Sequence, residues 1–136
     1  MKLVLQKSLT AGESPWGVAA ELYDIVVDGQ AVGNLNLRTE DSPSIIGFAG
    51  HIGYGVEEPH RGHGYALQAC RLALPIARDR GLKTIWISCN PDNEPSIRTI
   101  ERLGAAYVDT IELPPGNRYY DRGERQKRRY RLNLKY

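Results

Sequence analysis

Residues 50–66, Gly50-His51-Ile52-Gly53-Tyr54-Gly55-Val56-Glu57-Glu58-Pro59-His60-Arg61-Gly62-His63-Gly64-Tyr65-Ala66, read as a strand, a short turn and the first turn of a helix. His51, Ile52, Tyr54 and Val56 give the strand its β-prone side chains, Pro59 stops it, and Gly62 and Gly64 leave the turn without side-chain bulk. A helix that opens there presents unbonded backbone N–H groups and the positive end of its dipole. Arg61 and two glycines at that place suit a phosphate or pyrophosphate. The plainer alternative is a glycine turn that binds nothing.

Downstream, Ala66, Cys70, Ala73 and Ala77 fall on one helical stripe with Leu67, Leu74 and Ile76 beside it, while Gln68, Arg71, Arg78 and Asp79 mark the wet side. This helix is expected to run to about Arg80 and end at Gly81, with Pro75 kinking it or starting a second short segment. Residues 83–89, Lys-Thr-Ile-Trp-Ile-Ser-Cys, follow as a strong strand. Strand, helix and strand make a βαβ unit, whose two strands run parallel with a right-handed crossover. A second helix after residue 96 turns Ile97, Ile100 and Leu103 inward and ends at Gly104. Asp92 or Asn93 is its N-cap and Pro95 lies in its first turn. Residues 106–113 form another strand, 114–125 an Arg- and Tyr-rich loop, and 127–134 a last strand with Tyr130, Leu132 and Leu134 on one face.

Upstream, residues 3–6 make a short strand and 8–19 a loop with two glycines and a proline. Two strands around Leu22 to Val27 and Val32 to Leu37 are joined by Asp28-Gly29, a pair that tolerates the positive φ of a tight hairpin. After a polar break at 38–44, the next strand is expected over 45–56, bent at Gly47, Gly50, Gly53 or Gly55.

A length of 136 residues suits one domain, 1–136, of α/β or α+β class. No apolar run approaches a membrane span and no signal peptide opens the chain, so a cytoplasmic location is expected. Cys70 and Cys89 lack metal-ligand spacing and read as reduced thiols. Residues 118–136 hold eight of the 18 Lys and Arg against Asp121 and Glu124, so this segment carries +6 of a net +2 and the rest −4. That tail invites a nucleic-acid reading, but its alternating apolar residues favour a solvated strand and leave nucleic acid an unlikely partner.

Two motifs together resemble a known family. Arg61-Gly-His-Gly-Tyr-Ala66 fits the (Arg/Gln)-x-x-Gly-x-(Gly/Ala) signature of the GNAT acyl-CoA-dependent N-acyltransferases, and Asn93-x-x-Ser96 before a helix ending Leu103-Gly104-Ala105 looks like that family's second motif. The resemblance implies a mixed, mostly antiparallel sheet with a central parallel βαβ unit and a V-shaped splay between two strands. It also implies acetyl-CoA as cosubstrate, with no metal. The pantetheine arm would enter between residues 54–56 and 87–89, touching Tyr54 and Val56. The backbone of Arg61, Gly62, His63, Gly64, Tyr65 and Ala66 would hold the pyrophosphate, with Asn93 and Ser96 beside the arm.

The implied chemistry is attack of a neutral amine on the thioester, with the oxyanion held by a backbone N–H near Val56. The family's usual base positions fall on Gly50 and Ile52, which cannot titrate, so His51 is the candidate base if a bulge turns it inward; the competing reading is a packed histidine. The usual tyrosine acid falls on Ile100, which shifts the role to Tyr119, Tyr120 or Tyr130, with Tyr120 the chosen candidate, or to no acid at all. Cys89 is better read as a buried thiol than as a nucleophile. The chain resembles a short variant in which about a dozen loop residues replace the helices usual between the first two strands. Trp16, the 114–125 loop and a second subunit of a homodimer are therefore expected to complete the acceptor site. Arg118, Arg122 and Arg125 would favour an acidic acceptor, either a small-molecule amine or a protein amine. The alternative is a catalytically degenerate acyl-CoA-binding sensor or partner module.

Overall fold

The structure, a computed structural model, describes residues 1–134. Lys135, counted above in the basic tail, lies outside them. Strands β1 (Lys2–Leu9), β2 (Ala20–Val27), β3 (Gln30–Arg38) and β4 (Ile52–Val56) form an antiparallel sheet in chain order. Strands β5 (Thr84–Cys89), β6 (Ala106–Glu112) and β7 (Gln126–Asn133) form a second antiparallel sheet in the order β5-β7-β6. Helix α1 (Tyr65–Asp79) crosses from β4 to β5, α2 (Glu94–Leu103) joins β5 to β6, and the single-turn α3 (Arg118–Asp121) precedes β7. None of these helices is long and apolar enough to cross a membrane.

Local chemistry explains most of these elements. Asp28 and Gly29 both have positive φ, 51° and 76°, as a two-residue hairpin requires, and Val27 pairs with Gln30 across the turn. Asn93 caps α2, its side chain accepting from the Ser96 N–H, and Gly104 ends that helix at φ 100°. Ile25, Leu35, Leu37 and Ile52 from the first sheet meet Ile85, Ile87 and Tyr130 from the second and Ile100 from α2, all of them fully buried. Each such side chain contributes about 1.5–3 kcal/mol. Helix α1 fits closely against them through Ala69, Cys70, Ala73 and Ala77; Ala69 takes the place expected of Ala66, which is only half-buried. The helix continues through the exposed Pro75, so no second segment begins there.

Besides this shared core, a backbone hydrogen bond joins the two sheets at one place among the described residues. His51 N–H donates to the Trp86 carbonyl at 2.7 Å, and Trp86 N–H donates to His51 Nδ1 at 2.9 Å. Gly50, at φ 71°, allows this approach: a Cβ there would stand 2.6 Å from the Trp86 oxygen, closer than real contacts permit. Ser88 Oγ also donates to the Phe48 carbonyl, at 2.5 Å. Beyond this junction no ladder joins β4 to β5 among the described residues, and the V-shaped gap of the expected fold opens.

Three expectations need correction. The strand expected over 45–56 is confined to Ile52–Val56, because Ile45–Ala49 forms one wide helical turn, closed by a 2.7 Å bond from Gly50 N–H to the Ile45 carbonyl. Ser42 starts that turn, its Oγ accepting from Ile45 N–H at 3.1 Å, and the turn buries Ile45 and Ala49 in a second small core with Val18. Tertiary burial there outweighs the β propensity of the isoleucines. The first strand is longer than residues 3–6, with a bulge between Leu5 and Lys7. The 114–125 loop holds α3, capped by Asn117, whose side chain accepts from Tyr119 N–H at 2.9 Å.

The basic segment is engaged internally. Arg129 grips Asp109 with bonds of 2.7 and 2.9 Å, Arg128 donates to Tyr130 Oη, and the buried Lys127 donates to Asn90 and Glu124 at 2.8 Å each.

Candidate active site

The gap is built from an unpaired strand edge. Glu57 N–H bonds to the Val32 carbonyl at 2.8 Å. Alternation along β4 therefore turns the N–H groups of Val56 and Tyr54 away from β3 and into the gap. The gap continues into a cleft of about 630 Å³ between β4, the start of α1 and the first turns of α2.

Helix α1 starts at this cleft. Gly64 caps it in the left-handed conformation, φ 74°, with no side-chain acceptor, and Gly62 is left-handed at φ 88°. The first-turn N–H groups thus have no side-chain partner and carry the positive end of the helix dipole. Arg61 lines the cleft while its Nε donates to the Val56 carbonyl at 2.8 Å, tying the turn to the strand end.

On the opposite wall, Tyr54 Oη and Ser96 Oγ share a 2.9 Å hydrogen bond that joins β4 to α2. Burial pushes the Tyr54 phenol up to about 12, so it stays protonated at neutral pH. Of the residues expected to hold the cosubstrate, Tyr54, Val56, Arg61, Gly62, Gly64, Tyr65, Ala66, Asn93 and Ser96 all line the cleft. His63 does not line it, and its ring lies 5.3 Å from that of Tyr65.

Sequence reasoning missed His60, Leu67, Pro95, Thr99 and, above all, Arg98 and Arg102. The signal for the arginines was present. With Ile97 and Ile100 turned inward, a spacing of four places Arg98 and Arg102 together along one edge of α2.

The candidate catalytic residues lie elsewhere. His51 is fully buried; its Nδ1 accepts from Trp86 N–H, so its Nε2 carries the proton and donates to Asp41 Oδ1 at 2.7 Å. Burial holds this imidazole below its ordinary pKa, although Asp41 pulls the other way. Neither nitrogen is left for an acceptor amine. The Tyr120 ring lies under the Arg125 guanidinium at 3.8 Å and is not part of the cleft wall. Ile100, where the resemblance implies a tyrosine, is a core side chain. Cys89 is buried, and that burial pushes its thiol up.

Trp16 and the 114–125 segment do come together. The rings of Trp16 and Tyr119 are 5.2 Å apart, and the Arg118 guanidinium lies 4.8 Å over Trp16 while donating to the Pro15 carbonyl. Arg125 stacks on Tyr120 instead, and Arg122 is exposed.

A splayed strand pair beside a glycine-capped helix is the architecture of acyl-CoA-dependent transferases. The sequence matches the model of the Acetyltransferase (GNAT) domain over residues 5–106, and the chain belongs to that family. Among solved structures it resembles RimL, the ribosomal L7/L12 alpha-N-protein acetyltransferase, at 20% identity and TM-score 0.65, covering 85% of this chain and 70% of that one. An N-acetyltransferase from Staphylococcus aureus Mu50 matches at 17% identity and TM-score 0.64, covering 85% of this chain and 68% of that one. The microcin C7 self-immunity acetyltransferase MccE, solved with acetyl-CoA and AMP, matches at 19% and 0.65, covering 85% and 61%. No curated protein matches the sequence.

Proposed function

We propose that the protein transfers an acetyl group from acetyl-CoA to a primary amine. The observation that carries this reading is the meeting, in one cleft, of an unpaired β4 edge and the start of α1, whose glycine cap offers no side-chain acceptor. The edge suits the amide groups of pantetheine, which would extend β4 as an added strand. The N–H groups of α1, with Arg61, Arg98 and Arg102 around them, suit the phosphates.

In the reaction the amine nitrogen adds to the thioester carbon, forming the C–N bond and a tetrahedral oxyanion held by a β4 N–H at Tyr54 or Val56; collapse of that oxyanion breaks the C–S bond and releases the CoA thiolate. With His51 bonded at both nitrogens, the amine proton leaves through water. The Tyr54 phenol, hydrogen-bonded to Ser96 beside the gap and held protonated by burial, is a proton source for the departing thiolate. Trp16, Tyr119 and Arg118 form the wall offered to the acceptor.

Thermal unfolding with saturating acetyl-CoA tests the cosubstrate site, because a ligand at 100 times its Kd stabilises the folded state by about 2.7 kcal/mol. The expected result is a rise of several degrees that Gly64→Leu abolishes; no rise sinks the reading. A second reading, a binding module without transfer, is favoured by the buried, doubly bonded His51 and by Ile100. Release of free CoA thiol that depends on an added amine excludes it.

A further inference from the structure

Arg38 ends β3 and is 7% exposed, yet no carboxylate among the described residues pairs with it. Among the described residues its guanidinium makes one hydrogen bond, from Nη1 to the Gly50 carbonyl, which is 3.5 Å long and therefore weak. Around it stand Trp16, whose ring centre is 5.5 Å away, and Tyr119, while Arg118 on the same indole adds a second positive charge. Burial disfavours the charge of this guanidinium; Tyr119 acts in the opposite direction and Arg118 in the same one. A buried cation without a counter-charge destabilises a fold, and its retention calls for a function.

Its location supplies one. The guanidinium lies over Gly53 of β4, where a methyl group would stand 3.0 Å from Nη1 and 3.2 Å from Nη2. Gly53 directly precedes Tyr54, whose N–H enters the gap, and the two residues face opposite sides of the sheet. No fully buried side-chain nitrogen among the described residues lacks a hydrogen-bond partner. The Nε and Nη2 edge of Arg38, for which no hydrogen bond is found among the described residues, therefore keeps some contact with solvent.

We propose that Arg38 anchors a carboxylate carried by the acceptor amine, placing that amine on the face of β4 opposite Tyr54. This rests on the acetyl-transfer reading and names the chemistry of its second substrate. A free guanidinium edge takes the two oxygens of a carboxylate side by side. Trp16, packed against Val18, Ile45 and Ala49, makes the surroundings apolar, so a single negative charge matched by this guanidinium suits the place better than the double charge of a phosphate monoester.

The test measures thermal unfolding of the full chain saturated with CoA, adding N-acetyl amino acids with small, acidic and aromatic side chains, each against its C-terminal amide. At least one acid should raise the unfolding temperature where its amide does not. Arg38→Met should remove that difference while keeping the shift given by CoA alone, and should itself unfold at a higher temperature than the parent because an unpaired charge is gone. Gly53→Ala, which keeps the charge but displaces it, should weaken acid binding at least tenfold. The proposal is overturned if no acid outperforms its amide, or if either variant binds acids as the parent does. Because the CoA shift is read separately, failure of the cosubstrate site and failure of the anchor give different results.

Discussion

His51 links three segments of chain through one imidazole: its Nδ1 takes the Trp86 N–H of β5, its Nε2 reaches Asp41, and its own backbone bonds both Arg38 and Trp86. Replacing it with Gln should cost about 1–3 kcal/mol at pH 7.5, measured by urea unfolding, because buried polar groups lose their partners. The ring also sets a pH dependence. Its folded pKa is depressed, so the unfolded chain takes up the proton first as pH falls. The stability tied to it is full above the unfolded value, about 6.5, and is lost as pH drops below that value and through the folded pKa. Between pH 7.5 and 5 the urea midpoint should therefore fall more steeply in the parent than in His51→Gln, and equal slopes would refute this linkage. Gly33 is a second sensitive residue, since a Cβ there would stand 2.1 Å from the Gly55 carbonyl oxygen. Gly33→Ala should force β3 and β4 apart and destabilise by about 2 kcal/mol or more.

At the scale of elements, α2 carries two separable jobs. Its cap is structural: Asn93→Ala should cost about 1 kcal/mol of stability, and Asn93→Asp should restore most of it. Its edge faces the cleft, where Arg98→Ala with Arg102→Ala should weaken acetyl-CoA binding about tenfold, with the deficit shrinking at high salt. Calorimetric titration at two ionic strengths reads both effects. A salt-independent deficit would point to lost packing rather than lost charge. The cap was legible in Asn93-Glu94-Pro95-Ser96, since capping is a local signal. The arginines were harder to read, because a charged helix edge looks the same in sequence whether it borders water or a ligand.

Across the whole molecule, sensitivity to the cosubstrate should be confined to the gap. Hydrogen exchange with acetyl-CoA bound should slow at Tyr54 and Val56 and leave β1 and β2 unchanged. The order of elements, the Asp28-Gly29 hairpin and the glycine-capped helix could all be read from sequence because each rests on local periodicity or a φ requirement. Residues 45–49 misled because burial against Val18, from a distant loop, converts a β-prone run into a helical turn. His51 and Arg38 could not be assigned for the same reason: what a buried polar side chain does depends on which remote backbone it meets.

The meeting of the sheets at Gly50, His51 and Trp86 has a mechanical consequence. Each sheet is knitted within itself, and the two are leaves pinned at this junction and backed by a common core. Among the described residues no ladder bond crosses the V, so widening it would strain the shared core, the bonds around the pin and the Tyr54–Ser96 hydrogen bond rather than unzip a strand pair.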